Sequence, residues 1–202
     1  MTATEKNIGA IILAAGASSR LGTPKQLLPY AGKTLLQYTV KAALDSIARP
    51  VIVVLGFEAE KIKDNIDGAQ VIVNPDWQEG MSSSIRCGIQ ALDRADPSAE
   101  GTIILVSDQP YITSALLNEL VTEHRKTGEP IVASSYDNTL GVPALFHKSI
   151  FAVLLQLKGD AGAKSIIQQH SGDVGMVTFS KGGVDIDTKE DLNELSKGDP
   201  RS

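Results

Sequence analysis

The stretch "ILAAGASSRLGTPKQLLPYAGKTLL", Ile12 to Leu36, sets an apolar run directly before Gly16, Ser18, Ser19, Arg20, Gly22 and Lys25. Glycines let backbone amides approach a ligand closely, and successive amides in a turn form a concavity that attracts anions. The serine hydroxyls add donors, Arg20 a planar fork and Lys25 a mobile point charge. Together they suit the phosphates of a nucleotide, although neither G-x-x-x-x-G-K-[ST] nor G-x-G-x-x-G is present. The alternative is a solvated strand–helix connection with both cations in water, and spacing alone favours phosphate binding only modestly over it.

Three further stretches carry candidate chemistry. Asp108 ends the apolar run "GTIILVSD", and Gln109-Pro110 turns the chain away after it. Mg²⁺ takes one or two carboxylates together with phosphate oxygens and water, so Asp108 is a candidate ligand. The alternative is a turn aspartate, with Thr113 or Ser114 capping the next helix. In "DIDTKEDL", Asp185 and Asp187 share one side if the segment is a strand. Asp187 or Thr188 could instead cap a helix, with Glu190 or Asp191 completing the box. In "EGMSSSIRCGI", Gly80, Ser82 and Ser83 open a helix whose free amides and dipole favour a negative group, or whose serines simply cap it. Cys87, with no histidine near it in sequence, reads as a small packed side chain.

Alternating strands and helices must position these residues. "IGAIILAA", "VIVVLG", "QVIVN" and "GTIILVSD" read as buried strands. Helical spacing marks Lys33 to Ile47, Glu58 to Ile66, Met81 to Leu92 and Ser114 to Arg125. Shorter units follow: "PIVASS", "LGVPALF", helices after Lys148 and Asp160, "GMVTFS" and "GVDID". This order predicts an α/β, Rossmann-like three-layer fold with a mostly parallel central sheet, in one domain over 1–196 with a frayed tail at 197–202. Ligands of such sheets sit beyond the carboxyl ends of the strands. There the topology gathers 16–25, 74–84, 108–110 and 185–188.

Composition narrows the partners. The 202 residues include 42% hydrophobic and 21% charged ones, as in an ordinary globular protein. A net charge of −5 argues against nucleic acid or an anionic membrane surface, so a bound anion must be met by local cations. The one cysteine excludes an internal disulfide or a multi-cysteine metal site and points to a reducing compartment. Lys6 before "IGAIILAAGA" imitates a secretion signal, but Glu5 and the short apolar core favour a strand and the cytoplasm.

The motif "LAAGASSRLGTPKQLLPYAGKTLL" resembles the signature of the MobA-like nucleotidyltransferases, closest to the molybdenum cofactor cytidylyltransferase branch. "NPDWQEGMSSSIRCGI", "VSDQPYI", "GVPALF", "GDAGAK" and "DIDTKEDL" follow in that family's order. The resemblance implies transfer of CMP from CTP to the terminal phosphate of molybdopterin, with release of pyrophosphate and a recipient molybdenum enzyme as a possible partner. It implies Mg²⁺ held by Asp108 and Asp187, and catalytic roles for Lys25, Arg20 and Asp108, with Lys25 on the α-phosphate and Arg20 on the β and γ oxygens. Leu13, Ala14, Ala15, Gly16, Ser18 and Ser19 would lie along the nucleotide with Arg20 and Lys25, joined by Gly80, Ser82 and Ser83. Guanylyl-transferring relatives have LAGG, so Ala15 points to cytosine. Gly141, Pro143 and Asp160 fall in the segments implied to bind the acceptor. Val142 stands where that family has the histidine of G-H-P, which leaves a sugar or polyol phosphate acceptor, or a non-catalytic maturation factor, as alternatives.

Overall fold

Ile8–Ala14 contains only apolar residues and glycine, and all seven are buried. A strand without a polar face must be covered on both sides. The structure, a computed structural model, describes residues 7–18, 24–30, 32–170, 172–186 and 191. In chain order its first elements are β1 (Ile8–Ala14), β2 (Pro29–Tyr30), β3 (Lys33–Thr34), α1 (Leu35–Leu44), β4 (Val51–Leu55), α2 (Ala59–Ile62) and β5 (Gln70–Val73). Then come α3 (Met81–Ala95), β6 (Gly101–Val106), α4 (Ser114–Thr127), β7 (Ile131–Tyr136), β8 (Thr139–His147), α5 (Phe151–Leu154), α6 (Ala163–Gln169) and β9 (Val174–Thr178).

Seven strands form one sheet in the order β5-β4-β1-β6-β8-β7-β9, while β2 and β3 pair separately. β1 runs parallel to β4, with Ala14 beside Leu55, and parallel to β6, with Leu13 beside Val106. Within that sheet only β8 is reversed, antiparallel to both β6 and β7. The reversal starts at Asp137 and Asn138, whose φ angles of 47° and 58° make the tight two-residue hairpin turn that Asp and Asn tolerate.

Side chains alternate across the sheet with period two. Ile8, Ala10, Ile12 and Ala14 meet Leu36 and Val40 of α1 and Leu117 and Leu120 of α4 on one face. Ile11 and Leu13 meet Ile85, Ile89 and Leu92 of α3 and Ile166 of α6 on the other. Burying each such aliphatic side chain is worth about 1.5–3 kcal/mol, and the two clusters fix the strand ends from which the loops depart. Three layers result, as the sequence pattern predicts.

Element bounds differ from the sequence reading in places. The first helix starts at Leu35 because Lys33 and Thr34 pair with Tyr30 and Pro29, and Thr34 then caps it in a reciprocal box with Gln37. The helix expected over 58–66 shortens to α2 plus a tighter turn, Lys63–Asn65. "GVDID" is not a strand through Ile186. Its Ile186 N–H instead donates to the Asp108 carbonyl at 3.0 Å, and the Ile186 side chain packs with Leu28, Tyr30 and Leu35. The shared strand face expected for Asp185 and Asp187 is therefore lost at Asp185; Asp187 and Thr188 lie outside the described residues.

Candidate active site

β1 lies between β4 and β6, and the chain leaving β1 and the chain leaving β6 both lead to helices on one face of the sheet, α1 and α4, while α3 covers the other. Ligands of such sheets sit beyond the carboxyl ends of the strands. There lies a cavity of about 420 Å³, within the range of small-molecule sites. Residues 13–17 at the end of β1 form one wall and Val106, Ser107 and Asp108 after β6 another; Lys25 and Gln26 face Trp77, Gly80, Met81 and Ser84. A second cavity of about 260 Å³ adjoins it and shares Leu13, Met81, Val106 and Asp108. Its own walls include Gln109, Tyr136, Val142, Lys164 and Asp185.

Lys25 and Asp108 form an ion pair across the first cavity. They are 83 residues apart, and both are mostly buried, with side chains 19% and 18% exposed. Taking two charges out of water is unfavourable, and their attraction offsets this only with good partners. The pair uses one carboxylate oxygen of Asp108. The other, Oδ1, is buried with no hydrogen-bond partner among the described residues. A buried, orphaned carboxylate oxygen beside an open cavity can coordinate a metal ion or accept a hydrogen bond from a ligand.

Of the residues singled out in the sequence, Leu13, Ala14, Ala15, Gly16, Lys25, Gly80, Asp108 and Asp160 line the first cavity. Ser18 stands just behind it at φ 51°, and its hydroxyl accepts the Lys25 N–H at 3.0 Å. Ser19, Arg20 and Asp187 lie outside the described residues.

The start of α3 departs from expectation. Ser82 and Ser83 are buried and do not line the cavity; Ser84 does. The Ser82 N–H donates to the Gly159 carbonyl at 3.1 Å, so the 159–160 loop already occupies this helix end. The Ser83 hydroxyl donates to the Gly80 carbonyl, and Asn74 Nδ2 donates to the hydroxyls of Ser83 and Ser84 at 2.8 and 3.1 Å. Gly80, at φ 115°, passes so close that a Cβ there would lie 2.6 Å from Asp160 Oδ1. The negative group at this helix terminus is the protein's own carboxylate.

Of the residues expected to bind an acceptor, Gly141 and Pro143 are buried and line neither cavity, whereas Val142 between them faces the second. A side chain at Gly141 would overlap the Tyr136 hydroxyl, so the glycine makes room for the phenol. Burial pushes the Tyr136 pKa up, and the Asp185 charge adds to the effect. It is a neutral hydroxyl at physiological pH. Its ring packs edge-on against Phe179.

Gln26 and Tyr136 carry no role in the sequence reading, which gives Gln109 only the turn with Pro110. Gln26 and Gln109 are buried to 1% and 3% exposure. Each follows a charged candidate directly, which was the available signal. Trp77 both lines the first cavity and meets Phe57 edge to face at 5.5 Å. Cys87 lines neither cavity and packs against the α3-side core, where burial raises its pKa and leaves it a thiol. His124 is buried, its Nδ1 bonded to the Glu129 carbonyl at 2.8 Å. No helix among the described residues is long and apolar enough to cross a membrane.

Comparison with known proteins agrees with this geometry. Residues 10–174 match the MobA-like NTP transferase domain. The chain is 30% identical to the nicotine blue oxidoreductase of Paenarthrobacter nicotinovorans, over 93% of this chain and 96% of that one. It is 29% identical to the purine catabolism protein PucB of Bacillus subtilis (strain 168), over 93% and 95%. Its fold superposes on Rv0371c of Mycobacterium tuberculosis H37Rv with a TM-score of 0.84 at 32% identity, covering 97% of this chain and 100% of that one. A manganese complex of Rv0371c superposes with a TM-score of 0.79 at 29% identity, over 96% and 100%. A domain match across most of the chain, with its cavities at the strand ends where such a fold binds ligands, makes this chain a nucleotidyltransferase of the MobA-like family.

Proposed function

We propose that the enzyme transfers CMP from CTP to the terminal phosphate of a pterin acceptor of the molybdopterin type and releases pyrophosphate. The observation that supports this most is the shared wall: Leu13, Met81, Val106 and Asp108 line both cavities. A triphosphate in the first and a phosphorylated acceptor in the second would meet at Asp108. An acceptor phosphate oxygen then bonds to the α-phosphorus while the α–β bridge breaks and pyrophosphate departs. Such transfers need positioning and charge neutralisation more than covalent help from the protein. Lys25 leaves Asp108 for the α-phosphate, and the loop amides meet the remaining oxygens. Ser19 and Arg20 keep their nucleotide-side roles in this reading, as Asp187 does beside Asp108. Ala15 is the basis for choosing cytosine.

Asp108 suits a divalent ion such as Mg²⁺, because its Oδ1 is buried, unpartnered and next to the space for the phosphates. A bound ion there supplies charge neutralisation at the phosphate oxygens. The relative solved with manganese is in keeping with this choice.

Val142 favours a second reading, in which the acceptor is a sugar or polyol phosphate. It gives the second cavity an apolar group at the position where the resemblance calls for histidine. One assay separates the two: purified protein is incubated with each NTP, Mg²⁺ and either acceptor, and pyrophosphate is measured. Release with CTP and the pterin supports the proposal. Release only with another acceptor favours the second reading, and binding without release would indicate a carrier. Lys25→Ala should lower kcat/KM by about 10²–10³-fold, roughly 3–4 kcal/mol of transition-state stabilisation, while near-normal turnover would refute the role given to Lys25.

A further inference from the structure

The loop after β1 holds its carbonyl groups in an unusual way. Gln26 is buried to 1% exposure, and its Nε2 donates to the carbonyls of Ala14 at 2.8 Å and Gly16 at 3.0 Å. Those two acceptors settle which end of the amide is nitrogen, since an oxygen placed there would face two oxygens. The intervening carbonyl, of Ala15, accepts the Phe57 N–H at 3.0 Å. Three successive carbonyls are thus taken up by the protein.

Among the described residues, the backbone N–H groups of Gly16, Ala17 and Ser18 donate no hydrogen bond. Ser18 has the left-handed conformation, φ 51°, that turns neighbouring amides towards a common point. A carbonyl oxygen facing a phosphate repels it, whereas an N–H attracts it. Gln26 Oε1 has no hydrogen-bond partner among the described residues. Leaving a buried acceptor unpaired is destabilising, so the side chain is a poor choice for packing alone.

We propose that Gln26 is the positioning residue of this loop: its amide draws the carbonyls of Ala14 and Gly16 inward and leaves the amides of Gly16 to Ser18 to receive a polyphosphate. This rests on the nucleotide-binding role of the first cavity and goes beyond it by naming what shapes the receptor. Gln26 need not touch the ligand's reacting atoms.

The test uses two variants of similar size. Gln26→Glu removes both donors and adds charge; Gln26→Met removes both donors and adds none. Affinity for inorganic pyrophosphate and for CTP is read from the fluorescence of Trp77, the chain's single tryptophan, which lines the cavity. Folding is checked by circular dichroism. In both variants the dissociation constant for pyrophosphate should rise by about tenfold or more, with the turnover defect carried mainly by the KM for CTP. If Gln26→Glu binds weakly and Gln26→Met binds normally, repulsion by the new charge explains the loss and the proposal is overturned. Unchanged binding in both variants overturns it while leaving the nucleotide site intact. If the wild type binds neither pyrophosphate nor CTP, the nucleotide-binding reading itself fails and takes this one with it. A titration of ¹⁵N-labelled wild type with pyrophosphate does not depend on either variant folding. The amide signals of Gly16, Ala17 and Ser18 should move, and stationary signals would overturn the assignment.

Discussion

At the scale of single residues, Lys25, Asp108 and Tyr136 in the two cavities are each governed by a neighbour. Lys25 is held by Asp108, and Tyr136 is kept neutral by burial and by Asp185. The tyrosine gives a pH prediction whose sign follows from linkage. Its folded pKa lies above the ordinary value of 10.0, so between the two values the folded chain binds more protons than the unfolded one. The stabilisation is whole below about pH 10 and is lost as pH rises from there through the folded pKa. Urea unfolding at pH 8 and at pH 11 should therefore show a smaller alkaline loss in Tyr136→Phe than in the wild type; equal losses would contradict the shift. Asp108 could be picked out in the sequence because a charge at the end of an apolar run stands out, and Lys25 because it is a cation in the glycine- and serine-rich loop after one. Gln26 had only its place next to Lys25 as a signal, because burial of a neutral amide depends on where the β1 loop folds back.

At the scale of elements, α3 decides how close the cavity wall comes to the sheet. A Cβ at Gly88 would lie 2.5 Å from Ile11 Cγ2, so the helix rests almost directly on β1. Gly88→Val should lift the helix and destabilise the protein by about 1–3 kcal/mol, measured by urea unfolding. It should also weaken nucleotide binding, because Met81 and Ser84 ride on the same helix. Unchanged stability would mean that the helix yields without strain. Helix and strand periodicities were legible for β1, β4, β6, α3 and α4, whose apolar spacing is long and regular. "GVDID" shows the same alternation, with Val184 41% exposed and Ile186 fully buried, yet it is no strand through Ile186. Ile186 is buried against Leu28, Tyr30 and Leu35, a tertiary cluster that local alternation does not reveal. The start of α3 shows a related effect: the carbonyl that occupies the helix start comes from residue 159, far along the chain.

At the scale of the whole molecule, the layers were legible in the alternation of strands and helices, but the reversed β8 and the side of the sheet on which each cavity opens were not. The hairpin at Asp137 and Asn138 carried a local signal for the reversal. The adjacency of β1 and β6, with two other strands of that sheet, β4 and β5, between them in sequence, had none beyond the general rule for such folds. That adjacency places Lys25 opposite Asp108, and their ion pair has a thermodynamic consequence. One carboxylate cannot serve the ammonium group and a divalent cation equally well. A polyanion that lures Lys25 away makes Asp108 more attractive to the cation, and the cation in turn releases Lys25 for the polyanion. Heterotropic cooperativity follows, and it must be reciprocal: CTP should tighten Mn²⁺ affinity by the same factor as Mn²⁺ tightens CTP affinity, about 5–150-fold. Calorimetric titrations in both orders would measure it, and strictly independent binding would show that the lysine never stood in the ion's way.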